Sequence, residues 1–400
     1  MYPASARAQR YALTHLPLHA SLKSSQIRQD NGSQVFQDII LSSRTPEIGN
    51  YPLILALKKS QTLAFQTFQP EGPFRFECGQ TLERIQIGYH VYGNRSPTGD
   101  NVVWICHALT ANSDAADWWA SLVGPGKAFD PARDFIVCAN ILGSCYGTSG
   151  PASQDPKTGK PFGLNFPLVT VRDMVHAHQL LCRHLGISRI RILAGGSLGG
   201  YQALEWAVME PGCVGKLLLL TTSARESAWG IAIHTTQRLA IEADPTWNQA
   251  DPGAGWSGLK AARAIGMLTY RNYETYVRTQ TDPDPEKLDH YRASSYILHQ
   301  GEKLIRRFNT QSYWLLTKAM DSHHLARGRN LPVEEILASI RQPALVIAIT
   351  SDILCPPEEQ RILTFHMPAS RYCEIQSPYG HDGFLIEGEQ ITDLLQRWDC

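Results

Sequence analysis

The chain has 400 residues, 43% hydrophobic and 18% charged, enough apolar material for one large α/β domain with an insertion or for two or three smaller domains. Lys+Arg and Asp+Glu number 37 each, which argues against a basic nucleic-acid surface and a polybasic membrane face. No apolar run reaches the roughly 20 residues of a bilayer span, residues 1–20 lack a signal-peptide core, and nine cysteines without a C-x-x-C pair fit neither a disulfide framework nor a zinc site. A reduced, cytoplasmic protein is expected, with Cys106, Cys138 and Cys182 acting as small buried hydrophobes.

Residues 1–64 are rich in Ser, Gln and Thr with weak periodicity and are expected to form an N-terminal extension, partly disordered. Ordered patterning begins near Phe65. Residues 74–78 and 85–93 alternate as two strands joined by a turn. Residues 101–106 are a nearly continuous apolar run, as a central parallel strand should be, and residues 135–139 are another. Met174, Val175, His178, Leu181, Cys182 and Leu185 mark one face of a helix ending at Gly186.

A short apolar strand then runs into Gly195-Gly196-Ser197-Leu198-Gly199, followed by a helical stripe of Ala203, Leu204, Ala207 and Val208. The pattern fits G-x-S-x-G, the nucleophile elbow of α/β-hydrolase folds. A serine at the apex of a strained strand-to-helix turn needs neighbours without a Cβ, so that backbone can approach closely and unusual φ/ψ is cheap. Leu198 N–H, at the start of the next helix, points where an oxyanion would develop. The plainer alternative is a glycine-rich turn with a solvated serine. Residues 216–220 are the next strand.

From 223 to 338 the strands disappear. Segments 258–270 and 303–320 are helical, and the stretch is expected to be an inserted lid over the carboxyl edge of the sheet. Strands resume at 344–349 and near 370–376, before a helix over 389–398. The expected fold is α/β, of α/β-hydrolase type: a mostly parallel, doubly wound sheet built from 65–222 and 339–400, with 223–338 as a helical lid.

A serine hydroxyl needs a base, itself oriented by a carboxylate, and in this fold they follow in the order serine, acid, histidine. Asp352 comes directly after a late strand, and His381 lies in Pro378-Tyr379-Gly380-His381-Asp382-Gly383, a glycine-flanked loop before the last helix. Ser197, Asp352 and His381 therefore satisfy order and topology together. Asp382 is a competing acid, but a residue adjacent to His381 reaches its Nδ1 poorly. An acid after a strand is commonly a turn residue, while His176, His178 and His184 sit on an amphipathic helix and His107 could line the core. Leu109 N–H, in His107-Ala108-Leu109-Thr110 after an early strand, is the second oxyanion candidate.

Several loops together resemble the homoserine O-acyltransferase family: Cys106-His107-Ala108-Leu109-Thr110, the run 122–127, the run 140–151, the elbow with Gln202-Ala203-Leu204-Glu205-Trp206, Ser351-Asp352 with the run 356–360, and the run 380–387. The resemblance covers about residues 70–390, in order. It implies ping-pong transfer of an acyl group from acetyl-CoA or succinyl-CoA to L-homoserine through an acyl-serine, with no bound cofactor or metal, at the entry to methionine synthesis. Ser197 then resembles the nucleophile, His381 the base, Asp352 the orienting acid, and Leu109 and Leu198 the oxyanion donors. Arg263 and Tyr270, seven apart on one helix face, resemble substrate-binding residues. Arg263 would hold a carboxylate bidentately and Asp382 would face the ammonium; taken alone, Arg263 reads as a solvated helix charge. A homodimer is expected on the resemblance. The chain departs from many relatives at Ala111-Asn112, where Gly-Asp is common, and at Leu198, where Met is frequent. The first departure bears on acetyl against succinyl. Serine as acceptor, an esterase or amidase on the same scaffold, and a non-catalytic binding protein are the remaining alternatives.

Overall fold

The computed structural model describes residues 65–399, so the expected extension 1–64 lies outside the described residues. In chain order the strands are β1 (Gln66–Phe68), β2 (Phe74–Arg75), β3 (Thr81–Leu82), β4 (Ile87–Tyr92), β5 (Val102–Cys106), β6 (Phe135–Ala139), β7 (Ile190–Gly196), β8 (Val214–Leu220), β9 (Ala344–Ile349) and β10 (Ser370–Ile375). All except β2 and β3 join one sheet in the order β1-β4-β6-β5-β7-β8-β9-β10. The pairs β1–β4 and β4–β6 are antiparallel and the remaining five are parallel. All five residues of β5 and all six of β9 are buried, because a parallel strand is covered on both faces. Successive side chains therefore feed two separate apolar layers. Trp104 packs edge-on against Trp206 on one face, and Val103 and Ile105 pack with Trp119, Phe129 and Ile391 on the other.

Two local expectations are corrected. Residues 74–78 and 85–93 do not pair with each other; β2 pairs with β3, and β4 pairs with β1 and β6. The reason is a tight reversal in which Phe76 N donates to Gln80 O at 2.9 Å across Gly79, at φ 89°. The apolar β4 is then free to take an interior position in the sheet. Nor is 303–320 one helix: Asn309 accepts from Ser312 N at 2.9 Å, and this N-cap starts a new helix there.

The helices are α1 (Ala115–Trp118), α2 (Val171–His184), α3 (Leu198–Met209), α4 (Ala228–Glu242), α5 (Trp256–Tyr270), α6 (Tyr273–Gln280), α7 (Arg292–Ile305), α8 (Thr310–Asp321), α9 (Val333–Ser339), α10 (Pro357–His366), α11 (Gly383–Ile386) and α12 (Gly388–Asp399). A capping box between Thr170 and Asp173 opens α2. Six helices, α4 to α9, lie between β8 and β9. Their return segment is tied to the sheet layer by Glu205 of α3, which receives Arg172 Nε at 2.5 Å and Arg329 Nη2 at 2.6 Å. Among the described residues every cysteine is free, and no helix is long and apolar enough to cross a membrane.

Strand order fixes where a ligand can enter. β5 has β6 on one side and β7 on the other, so the chain reverses direction across the sheet there, and the loops leaving β5 and β7 open a crevice.

Candidate active site

Ser197 sits at that crevice, between β7 and α3, at φ 55° and ψ −127°. A non-glycine residue holds that conformation only when its surroundings impose it. Ser197 N donates to Leu220 O at 3.0 Å, extending the ladder to β8 by one residue beyond the strand. A Cβ on Gly199 would overlap the Cys106 carbonyl oxygen, and one on Gly195 would overlap the Gly199 carbonyl. Both glycines are therefore steric requirements of the turn. Leu198 is the first residue of α3, so its N–H has no carbonyl one turn earlier to bond.

The loop after β5 carries Leu109 to the wall of the same cavity. His107 pins this loop from below. Burial pushes its imidazole down to about 4, so it is neutral, with Nδ1–H donating to Ala108 O at 2.9 Å and Nε2 accepting from Ile141 N at 3.2 Å. Gln202 Nε2 donates to His107 O and Leu198 O, each at 3.1 Å, and so links the β5 loop to the elbow. His178 is also a core histidine, driven to about 3 by burial beside Trp104 and Trp206.

Asp352 follows β9 and is buried. One oxygen accepts from Leu354 N at 2.8 Å and Cys355 N at 2.9 Å, and the other from His381 Nδ1 at 2.7 Å. Those two backbone donors hold the carboxylate so that its second oxygen faces the imidazole. Among the described residues His381 Nε2 has no hydrogen-bond partner, and His381 lines the cavity together with Ser197. Catalytic hydrogen bonds commonly tighten only when substrate is bound. Burial alone would lower the His381 pKa. The Asp352 charge and hydrogen bond, with smaller help from Asp382 and Glu226, more than offset this and raise it above 6.5.

The cavity holds about 350 Å³. Its far end is made by the insertion. Arg263 and Tyr270 of α5 both line it, with the guanidinium carbon 5.4 Å from the ring centroid. Among the described residues Arg263 has no carboxylate in ion-pair contact. Asp382 lines the cavity but is already paired: Arg271 Nε lies 3.0 Å from its Oδ2. Burial raises the Asp382 pKa, and Arg271, Arg263 and His381 hold it back. Arg271 is not legible in the sequence, because one cation just past a helix end carries no pattern. A single amide on a helix, Gln237, carries none either, and Gln202 stands in the elbow run with nothing to show that it bonds the β5 loop. Arg307 also lines the cavity and donates to the Thr110 carbonyl and to Tyr146 Oη, the latter at 2.7 Å. Ala111 and Asn112 line the cavity too, with Asn112 Oδ1 accepting from Asp114 N at 2.8 Å. No group of three or more His, Cys, Asp or Glu poised for a metal occurs among the described residues.

A serine on a strained turn, an imidazole with one nitrogen held by a carboxylate, and two backbone N–H groups at the head of a loop and a helix suit nucleophilic acyl chemistry. The model of the alpha/beta hydrolase fold matches residues 101–387. The chain is 45% identical over 345 residues to the homoserine O-acetyltransferase of Nostoc punctiforme, covering 83% of this chain and 95% of that protein. It is 43% identical over 338 residues to the homoserine O-acetyltransferase of Chlorobaculum tepidum, covering 82% and 93%. Among solved structures, the homoserine O-acetyltransferase from Bacillus anthracis superposes with a TM-score of 0.78 at 25% identity, over 84% of this chain and 97% of that one. Esterase E22, with a TM-score of 0.76 at 23% identity over 84% and 99%, shares the fold.

Proposed function

The chain belongs to the homoserine O-acetyltransferase family on the α/β-hydrolase fold, and from that premise we propose that it moves an acetyl group from acetyl-CoA to the side-chain hydroxyl of L-homoserine through acetyl-Ser197. His381 Nε2 takes the Ser197 proton as Oγ attacks the thioester carbonyl. The oxyanion is held by Leu109 and Leu198 N–H, the C–S bond breaks, and the proton passes to the departing thiol. Homoserine then enters. His381 takes its hydroxyl proton, the new ester forms, and the Ser197 oxygen leaves as a hydroxyl with the proton returned by His381. Asp352 keeps the imidazole in the required tautomer and stabilises the imidazolium.

The observation that carries this reading is that His381, bonded to Asp352 at 2.7 Å, lines one cavity with Ser197 and Arg263. Arg263, free of a carboxylate partner, suits the acceptor's carboxylate. Asp382 suits its ammonium, sharing charge with Arg271. The helices between β8 and β9 act as the lid that keeps water from the acyl-serine. Cytoplasmic methionine synthesis as a homodimer is part of the proposal. The family resemblance supports it, and exposed Tyr273, Leu288 and Leu298 offer apolar surface for a second copy.

The test is thiol release from acetyl-CoA or succinyl-CoA with homoserine, serine or water as acceptor. Thiol release that requires acetyl-CoA and homoserine is expected; equal release without an acceptor would make the protein a hydrolase. Ser197→Ala should lower transfer by more than about a thousandfold, as removal of a triad nucleophile does.

A further inference from the structure

We propose that Gln237 is a further residue of the acceptor site, presenting its amide to the carboxylate and ammonium of the amino acid between Arg263 and Asp382; this rests on the acyl-transfer reading. Ile233, His234 and Gln237 form the stretch of α4 that lines the cavity. His234 is already engaged, with Nδ1 donating to Asp321 Oδ1 at 2.9 Å. Gln237 is not. It is 1% exposed; its amide lies close enough to the Tyr270 hydroxyl to act on it, but neither Oε1 nor Nε2 makes a hydrogen bond of proper geometry among the described residues. A buried primary amide with at most one poorly aligned contact is rare in native interiors and asks for a reason.

The surroundings supply one. Arg263, Tyr270 and Asp382 line the same cavity. Helix α5 makes room for the amide through Gly266, where a Cβ would come 3.1 Å from Gln237 Nε2 and 3.0 Å from the Tyr270 ring. That is closer than side chains ordinarily tolerate, so the glycine lets the amide lie against α5 next to Tyr270.

The acceptor is a zwitterion, and the protein charges at this end are Arg263, Arg271 and Asp382. A neutral amide offers both a donor and an acceptor without altering that balance. Nε2 would donate to the carboxylate that Arg263 draws in. Oε1 would accept from the ammonium that Asp382, half-committed to Arg271, holds incompletely. A small shift of the side chain toward a bound acceptor satisfies both atoms at once. A glutamate here would instead pair with Arg263 and compete with the substrate.

Ping-pong kinetics allow the two halves of the reaction to be read separately. Gln237→Leu and Gln237→Glu are compared with the wild type by the thiol burst from acetyl-CoA alone and by steady-state turnover against homoserine. The expected result for Gln237→Leu is a homoserine KM raised about ten- to a hundredfold, the value of a hydrogen bond to a charged group, with a burst within about twofold of wild type. Gln237→Glu should lose more. An unchanged KM overturns the proposal, and so does a burst that falls in parallel with acceptor use, which would mean a structural role only. In the Tyr270→Phe background, Gln237→Leu should still raise KM; no further effect there would mean that Gln237 acts only by orienting Tyr270, and direct contact is overturned. If wild type shows no homoserine-dependent turnover, the acyl-transfer reading itself falls and takes this one with it.

Discussion

His381 shows how a single side chain is tuned by opposing terms. Burial disfavours its charged form, and Asp352, with Asp382 and Glu226 behind it, favours that form by more. Only the neutral imidazole can take a proton from Ser197. A raised pKa therefore places the loss of acylation, as pH falls, at a midpoint above the ordinary 6.5. Asp352→Asn removes the largest raising influence and leaves burial, so the midpoint should move to lower pH while the rate drops by about a thousandfold or more. The pH dependence of the thiol burst reads both effects. A midpoint that did not move would show that the Asp352 charge is not what holds the proton on the imidazole.

The element that matters most is the elbow, where β7, α3 and the loop after β5 converge within a few ångströms. Ser197 holds a positive φ because the hydrogen bond to Leu220, the crossing backbone of β5 and the start of α3 leave no alternative. Gly199→Ala would push a methyl group into the Cys106 carbonyl oxygen. Backbone cannot swing aside as a side-chain tip does. The variant should lose at least about 1–3 kcal/mol in urea unfolding together with most of its acyl-enzyme formation. Gly212→Ala makes a control, since a Cβ there meets nothing within 4 Å and φ is not in the left-handed region.

Across the whole molecule, the cavity exists only because two chain regions far apart in sequence meet. Loops of the sheet bring Leu109, Ser197, Asp352 and His381, and the insertion brings Gln237, Arg263 and Tyr270. Arg307 fastens α7's end to Thr110, and Glu205 clamps the insertion's return to α2 and α3. The Glu205 carboxylate is 2% exposed between two guanidinium groups. Glu205→Ala would leave Arg329 without its carboxylate partner and Arg172 with Glu77 alone, a loss of about 3–5 kcal/mol where a buried pair is broken. Urea unfolding should show this, with kcat of the folded fraction little changed, because Glu205 does not line the cavity. Retention of full stability would mean that the clamp is solvated and dispensable.

Much of this protein is legible in its amino-acid order because the relevant signals are local. A buried parallel strand must be apolar along its whole length, and a turn that presents a serine must be flanked by glycine. An acid and a histidine at strand ends then fall into a known order. The α/β-hydrolase fold and the positions of Ser197, Asp352 and His381 follow from such patterns. Failures came where a local pattern fits two outcomes. Residues 74–78 alternate well enough for a strand in the main sheet, but a reversal at Gly79 turns them into a small ribbon. Residues 303–320 carry helical periodicity throughout, but Asn309 restarts the helix. Gln237 and Arg271 left no trace at all, and Gln202 and Glu205 stood only as part of a resembling run, without a role. Helical periodicity tells which face of α3 or α4 is buried and never what lies opposite it. By itself, then, the sequence determined the candidate reacting groups Ser197, Asp352 and His381, which stand on rigid elements with short-range rules. The tertiary structure alone decided that Gln237 lines the cavity beside Arg263 and Tyr270 and that Arg271 pairs with Asp382, because that depends on how the helices between β8 and β9 pack against the loops of the sheet.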